Sequence, residues 1–307
     1  MIPITEQPNP KTTDIDRRST LEIITLINEE DRAVAEAVSR VLDRVAEAVD
    51  RIAERLGAGG HLFYTGTGTS GRLGVLDASE CPPTYGVSPE LVRGIIAGGY
   101  DALHKAVEAA EDKPDQAARD LDAFALSPKD AVVGISASGN TPYTLGALRH
   151  AKEVGAAAVA ITCNPDSLMA READVSIAPV VGPEIIAGSS RMKAGTAQKM
   201  ILNMISTATM IRLGLVYGNL MSNLQANNEK LVRRARAILA EEAGVSAEEA
   251  AHVFEQSGRD LRVALLMARL RISGRDAEQL LKFHGGSVRR AIDERMDEGA
   301  HEKRDAR

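Results

Sequence analysis

Between residues 61 and 178 the sequence alternates short apolar runs with longer helical patterns, and that alternation constrains the fold more than any other feature. His61–Thr65, Leu91–Ala97, Ala131–Ile135, Ala157–Thr162 and Val175–Ala178 are apolar runs of strand length. Helical patterns cover Tyr100–Glu111, Tyr143–Val154 and Gly195–Leu213. Strands that lack polar alternation are buried on both faces, and strands separated by helices are joined by right-handed crossovers. The expected class is therefore α/β, with a doubly wound, mainly parallel sheet flanked by helices. With five Tyr, four Phe and no Trp, the core has to be built from Ala, Val, Ile and Leu, the residues that suit helices packed on such a sheet.

Upstream, Met1–Asp16 is polar, carries Pro3, Pro8 and Pro10, has no apolar segment of signal-peptide type, and reads as an extended arm. Ser19 and Glu22 have capping-box spacing and predict a short helix to about Asn28. Val34, Val38, Val41, Val45, Val49, Ile52 and Leu56 recur at steps of three and four, which predicts a longer amphipathic helix opened by Glu29, Glu30 and Asp31 and stopped by Gly57. After Asn219 the pattern is all helical: Leu231–Leu239, a helix opened by Ser246 and Glu249, then short pieces punctuated by Gly258, Gly274 and Gly285–Gly286 up to about Met296. This reads as a small three-helix appendage followed by a frayed, charged tail, Asp297–Arg307. The organisation expected is an N-terminal arm with helices (1–56), an α/β domain (57–222) and a C-terminal helical domain (223–307).

Charge removes one class of function. The net charge is −6, made of −7 up to residue 222 and +1 beyond it, so neither part has the basic excess of a phosphate-backbone binder and no nucleic-acid partner is expected. No uninterrupted apolar run reaches 18 residues, so no membrane span is expected and a cytoplasmic location is the plain reading. Cys81 and Cys163 make neither a disulfide framework nor a zinc site, and the six histidines (His61, His104, His150, His252, His284, His301) lack ligand spacing. No metal or other cofactor is expected.

Two strands close in loops of the same chemical character. Gly66-Thr67-Gly68-Thr69-Ser70-Gly71 follows the first, and Ser136-Ala137-Ser138-Gly139-Asn140-Thr141 follows the third, with Pro142 where a helix begins. Glycines let the backbone approach an anion, helix N-termini direct N–H groups at it, and hydroxyls add donors. Each loop alone is equally well read as a tight turn; two in one sheet favour a phosphate site, in which Thr67, Thr69, Ser70, Ser136, Ser138, Asn140 and Thr141 are the candidate ligands. The first loop also fits G-x-G-x-x-G, but the next strand runs into Ala97-Gly98-Gly99 with no carboxylate to hold a ribose, so a dinucleotide is rejected. A third stretch, Gly188-Ser189-Ser190-Arg191-Met192-Lys193, precedes a very apolar helix. Ser189, Ser190, Arg191 and Lys193 are candidate ligands there, with Arg191 and Lys193 supplying positive charge; solvated helix-start cations are the alternative. Arg72 carries the same ambiguity.

Taken together, the two hydroxyl-rich loops and the strand–helix alternation resemble the sugar-isomerase (SIS) fold, which binds phosphosugars. The longer blocks Thr69–Gly86, Ala106–Asp112 and Gly188–Lys199 resemble the N-acetylmuramic acid 6-phosphate etherase family, and the likeness runs from about Thr5 to Met296. The resemblance implies a bacterial cytoplasmic lyase of peptidoglycan recycling, a homodimer without metal or redox cofactor, that converts N-acetylmuramate 6-phosphate and water into N-acetylglucosamine 6-phosphate and D-lactate. It carries two catalytic glutamates onto Glu80 and Glu111. Rival readings on the same fold are a phosphosugar isomerase, a non-catalytic phosphosugar sensor and a transcriptional regulator; the last would need a basic segment that the near-neutral C-terminal part lacks.

The chemistry has a route suited to two carboxyl groups. In the ring-opened sugar, C1 is an aldehyde and the C2 proton is acidic; its removal lets the lactyl oxygen leave C3, and water then adds to the conjugated aldehyde. A base at C2 and an acid at the departing oxygen suffice, each contributing roughly 10²–10⁴-fold. Glu80 is expected as the acid and Glu111 as the base. They lie 31 positions apart, so only tertiary structure can bring them together.

Overall fold

The computed structural model of the chain describes residues 3–295 except 225 and 227. The chain divides into two compact units, one formed by Met1–Glu80 and Ser88–Thr209, the other by Cys81–Val87 and Met210–Arg307.

The first unit is built on a five-stranded parallel sheet of β1 (Leu62–Gly66), β2 (Val92–Ile96), β3 (Ala131–Ile135), β4 (Ala157–Ile161) and β5 (Val175–Ile177), in the order β2-β1-β3-β4-β5. β1, β3 and β4 are buried at every position, as their unbroken apolar sequences require. The five expected runs match these strands to within a residue or so at each end. Register sets the functional edge: Gly66 pairs with Ile135 and Ile135 with Ile161, so β1, β3 and β4 end level. Thr67 and Ser136, the next residues along, therefore leave neighbouring strands about 4.8 Å apart.

Helices cover both faces. They are α1 (Thr20–Ser39), α2 (Leu42–Gly57), α3 (Gly68–Tyr85), α4 (Asp101–His104), α5 (Pro114–Asp122), α6 (Pro142–Val154), α7 (Leu168–Glu172) and α8 (Lys193–Arg212). α2 buries the expected stripe of Val45, Val49, Ile52 and Leu56, whereas Phe63, Val132, Tyr143, Leu148 and Ala158 share a cluster with residues of α5 and α6. α3 lies close on β1 because Gly74 offers no side chain; a Cβ there would stand 2.9 Å from that of Tyr64.

Two expected boundaries move. The break foreseen near Asn28 is absent: α1 runs on through Glu29–Asp31, because its buried stripe of Leu26, Val34, Ala37 and Val38 continues across them. The chain turns after Ser39 instead, where the Ser39 hydroxyl donates to the Glu36 carbonyl at 2.7 Å, and Val41 becomes the N-cap of α2. The helix expected over Tyr100–Glu111 is only the four-residue α4 and a 3₁₀ turn at Glu108–Ala110. Lys105 between them is extended, Val107 packs over Gly98, and the Glu111 carbonyl accepts from the Tyr143 N–H at 2.9 Å. Tertiary contacts override helix propensity there. The N-terminal arm carries short 3₁₀ turns at Ile4–Glu6 and Ile15–Arg17, and the Ser19–Glu22 capping box is present.

The second unit holds α9 (Glu229–Ala243), α10 (Ala247–Gln256), α11 (Leu261–Leu270), α12 (Gly274–Phe283) and a helix over 288–295, so its described residues form more helices than the three foreseen. Leu239, Phe254, Leu265, Leu266 and Ala291 form its core. Asn228, Ser246 and Ser273 cap α9, α10 and α12 through their side chains. The charged tail Asp297–Arg307 lies outside the described residues.

Candidate active site

At the carboxyl edge of β3, hydroxyl groups converge. Ser136 Oγ is 2.8 Å from Thr141 Oγ1 and 3.4 Å from Ser138 Oγ, and it accepts from the Gly139 N–H at 3.2 Å. The loop depends on Gly139, whose φ is +70° and whose position admits no side chain, since a Cβ would collide with the Ser167 and Thr162 hydroxyls. Asn140 braces the same loop: its Oδ1 accepts from the Leu168 N–H at 3.1 Å and its Nδ2 donates to the Ser138 carbonyl at 3.3 Å. Thr141 is the N-cap of α6, yet it turns its hydroxyl to Ser136 and leaves α6 without a side-chain cap. An uncapped N-terminus of a 13-residue helix beside clustered hydroxyls suits a phosphate.

The β1 loop brings the first carboxylate to this edge. Thr67 Oγ1 donates to Glu111 Oε2 at 3.3 Å, so Glu111 is tied to the end of β1 just before the first turn of α3, which carries Thr69 and Ser70. Ser70 Oγ donates to Gln198 Oε1 of α8 at 2.9 Å. Arg72 binds the carbonyls of Leu103 and Lys105 at 3.2 and 3.1 Å, holding the segment that leads from α4 towards Glu111. Glu80 is elsewhere. It lies exposed on α3 twelve residues beyond Gly68, about 18 Å along the helix axis from the Thr67 loop. Leu76, one turn before Glu80 on the same face, is 51% exposed. Within one chain, Glu111 is thus joined to the hydroxyl-rich edge and Glu80 is not.

The third stretch behaves differently from the other two loops. Lys193 is 2% exposed, and its Nζ lies 2.6 Å from Glu30 Oε2 in α1. Lys11 Nζ reaches Glu30 Oε1 at 2.7 Å, and Asn9 Nδ2 donates to Glu30 Oε2 at 3.0 Å. Burial by itself would raise the Glu30 carboxyl, but the hydrogen bonds from Lys11, Lys193 and Asn9 and the charge of Lys193 outweigh it and hold the group at about 2. Lys193, expected to offer its charge to a ligand, is buried here and its ammonium is matched by Glu30. The N-terminus of α8 is also occupied, because the Glu184 carboxylate accepts from the N–H groups of Lys193 and Ala194 at 3.0 and 2.9 Å. Ser189 and Ser190 are half-buried and Arg191 is exposed on the preceding turn, which the arm ties down where Gly188 N–H donates to the Thr5 carbonyl at 3.2 Å.

Sequence reading missed Glu30, Glu184 and Gln198. Glu30 was indistinguishable from its neighbours Glu29 and Asp31, and Glu184 carries no local signal; Gln198 stands within the Gly188–Lys199 block. Among the described residues no cluster of His, Cys, Asp and Glu could hold a metal ion, and no helix is long and apolar enough to cross a membrane.

The family models that match the chain agree with this architecture. The family model of the glucokinase regulatory protein N-terminal SIS domain matches residues 44–152, and that of the SIS domain matches residues 106–208. Among solved structures, a phosphoheptose isomerase from Francisella tularensis superposes with a TM-score of 0.49 at 16% identity, covering 63% of this chain and 100% of that one. Curated relatives are far nearer in sequence. An N-acetylmuramic acid 6-phosphate etherase from Clostridium beijerinckii is 50% identical over 290 residues, covering 94% of this chain and 95% of its own. One from Edwardsiella ictaluri is 53% identical over 292 residues, covering 95% of this chain and 97% of its own. At half identity over nearly the whole of both sequences, the chain belongs to the N-acetylmuramic acid 6-phosphate etherase family.

Proposed function

We propose that Glu111 is the base and Glu80 the acid with which this etherase cleaves the D-lactyl ether of N-acetylmuramate 6-phosphate. The observation that carries the reading is the Thr67–Glu111 hydrogen bond, which sets a carboxylate beside the hydroxyl groups best suited to the 6-phosphate. In the ring-opened substrate, Glu111 takes the C2 proton. The C3–O bond then breaks, and the lactyl oxygen takes its proton from the Glu80 carboxylic acid. The Glu80 carboxylate next accepts a proton from water as its oxygen bonds to C3, and Glu111 returns its proton to C2. The products are N-acetylglucosamine 6-phosphate and D-lactate, and both carboxyl groups end in their starting states.

C2 and the lactyl oxygen are neighbours in the substrate, whereas Glu80 stands about 18 Å along α3 from the loop that holds Glu111. The acid at one site is therefore supplied by a second copy of the chain, in a homodimer with two equivalent sites. The Leu76 side chain beside Glu80 is the exposed apolar surface such a contact would cover. Thr69, Ser70, Ser136, Ser138 and Thr141 hold the phosphate by neutral donors, Thr67 adds its backbone N–H because its hydroxyl hydrogen is given to Glu111, Asn140 braces the Ser136–Thr141 loop, and Ser189, Ser190 and Arg191 approach from the turn before α8. A charged sugar phosphate crosses bilayers poorly, so the reading places the reaction in the cytoplasm. Incubating the purified chain with N-acetylmuramate 6-phosphate and assaying with an enzyme specific for D-lactate tests it; aldose–ketose interconversion without lactate would instead identify an isomerase.

A further inference from the structure

Gln198 lies beside the β1 loop with half of its carboxamide unused. It is 1% exposed, its Oε1 accepts from Ser70 Oγ at 2.9 Å, and its Nε2 is buried with no hydrogen-bond partner among the described residues. A serine hydroxyl has one hydrogen. In this arrangement the Ser70 hydrogen is given to Gln198, so Ser70 can turn only lone pairs towards the loop. A phosphate oxygen is an acceptor and would be repelled. The polarity of the pair is thus opposite to the one a phosphate ligand needs.

A half-turn of the carboxamide reverses it. With Nε2 in the place of Oε1, the amide donates to Ser70 Oγ, and the serine hydrogen is released towards the anion. The same turn gives one of the two unpartnered Nε2 hydrogens an acceptor and leaves a buried carbonyl where the nitrogen stood, which folded proteins tolerate better than a buried orphan N–H. The backbone need not move. Gln198 is held in reach because α8 packs closely on the start of α3: a Cβ on Gly195 would meet the Thr69 methyl at 3.5 Å.

We propose that Gln198 is a positioning residue that sets the direction of the Ser70 hydroxyl, its carboxamide turning over as phosphate binds so that Gln198 donates to Ser70 and Ser70 donates to the phosphate. This rests on the reading of Ser70 as a phosphate ligand. The pair is a relay of two hydrogen bonds whose sense is fixed at the buried end, which lets a neutral hydroxyl act as a dedicated donor beside a dianion.

A double-mutant cycle tests it, read as KM and kcat for the phosphosugar and as the inhibition constant of inorganic phosphate. Ser70→Ala and Gln198→Met are each expected to raise the inhibition constant and KM about tenfold, the loss of one charge-assisted hydrogen bond, with a much smaller effect on kcat. In the Ser70→Ala background, Gln198→Met should add less than about twofold, because the residue it positions is gone. Gln198→Glu, which is near in size but cannot donate when ionised, should weaken phosphate more than Gln198→Met does. Thermal unfolding of each variant identifies any that is misfolded, and the cycle is then completed with Gln198→Leu. If the Ser70 and Gln198 effects multiply in full, or if Gln198→Glu binds phosphate as tightly as the parent, the relay is refuted while the phosphate role of Ser70 stands. If Ser70→Ala itself leaves phosphate inhibition unchanged, Ser70 is no phosphate ligand and both fall.

Discussion

Lys193 Nζ and Glu30 Oε2 lie 2.6 Å apart, and this buried ion pair fastens the first turn of α8 to the middle of α1. Removing one member strands the other. Glu30→Gln is expected to lower the unfolding free energy by about 3–5 kcal/mol, because the Lys193 ammonium loses its counter-charge inside the protein. Urea denaturation measures this; a loss below about 1 kcal/mol would mean that the pair is far better solvated than its burial indicates.

The same carboxyl gives the fold a pH dependence. Glu30 is held at about 2 when folded, below the ordinary value of about 4.3 for the unfolded chain. Between those values the unfolded chain binds more protons, so the contribution of Glu30 is complete above the unfolded value and is lost as pH falls from there towards 2. Parent and Glu30→Gln stabilities should therefore converge on acidification from pH 5 to pH 2. Parallel curves would exclude Glu30 as a source of acid sensitivity.

The two glutamates make separable predictions. Glu111→Gln should lose both D-lactate release and exchange of the C2 hydrogen with deuterated water, with kcat lower by at least about 10²-fold. Glu80→Gln should abolish lactate release yet retain C2 exchange, since deprotonation precedes departure of the lactyl oxygen. Mass spectrometry of recovered substrate reads the exchange. Full exchange in Glu111→Gln would remove Glu111 as the base.

Assembly of a site from two copies predicts complementation. Mixed subunits of Glu80→Gln and Glu111→Gln, refolded together in equal amounts, should regain about a quarter of parental activity, because half of the dimers are mixed and each mixed dimer has one intact site. If both residues of a site came from one chain, no mixture would recover activity.

Gly139→Ala is expected to raise KM for the phosphosugar and to destabilise the fold by about 1–3 kcal/mol, because φ is +70° and the added methyl collides with the Ser167 and Thr162 hydroxyls. Steady-state kinetics with thermal unfolding checks both. Parental KM and stability together would show that the Ser136–Thr141 turn relaxes freely.

Legibility in the sequence followed the range of the forces involved. β1, β3 and β4 were readable because burial on both faces writes itself as an unbroken apolar run, and the hydroxyl-rich loops were readable because strand ends mark where a parallel sheet gathers ligands. The α1 break was misplaced because Glu29–Asp31 suit a helix start and a helix interior equally well. The Tyr100–Glu111 segment was misread because Ala-rich local propensity lost to the Glu111 carbonyl's bond with Tyr143. The pairing of Lys193 with Glu30 is illegible for a related reason: the two residues are 163 positions apart, and nothing near either one announces it.

The attachment of Glu30 to the first turn of α8, and of Thr5 to the turn before it, bears on how the chain can be divided. A fragment starting at the sheet, near residue 57, would keep every strand and both hydroxyl-rich loops, but it would strip Lys193 of its Glu30 counter-charge and uncover the first turn of α8. Thr5, Asn9, Thr12, Leu26 and Glu30 are buried members of the α/β unit, and designs that truncate, fuse or transplant this enzyme have to carry along the segment that holds them.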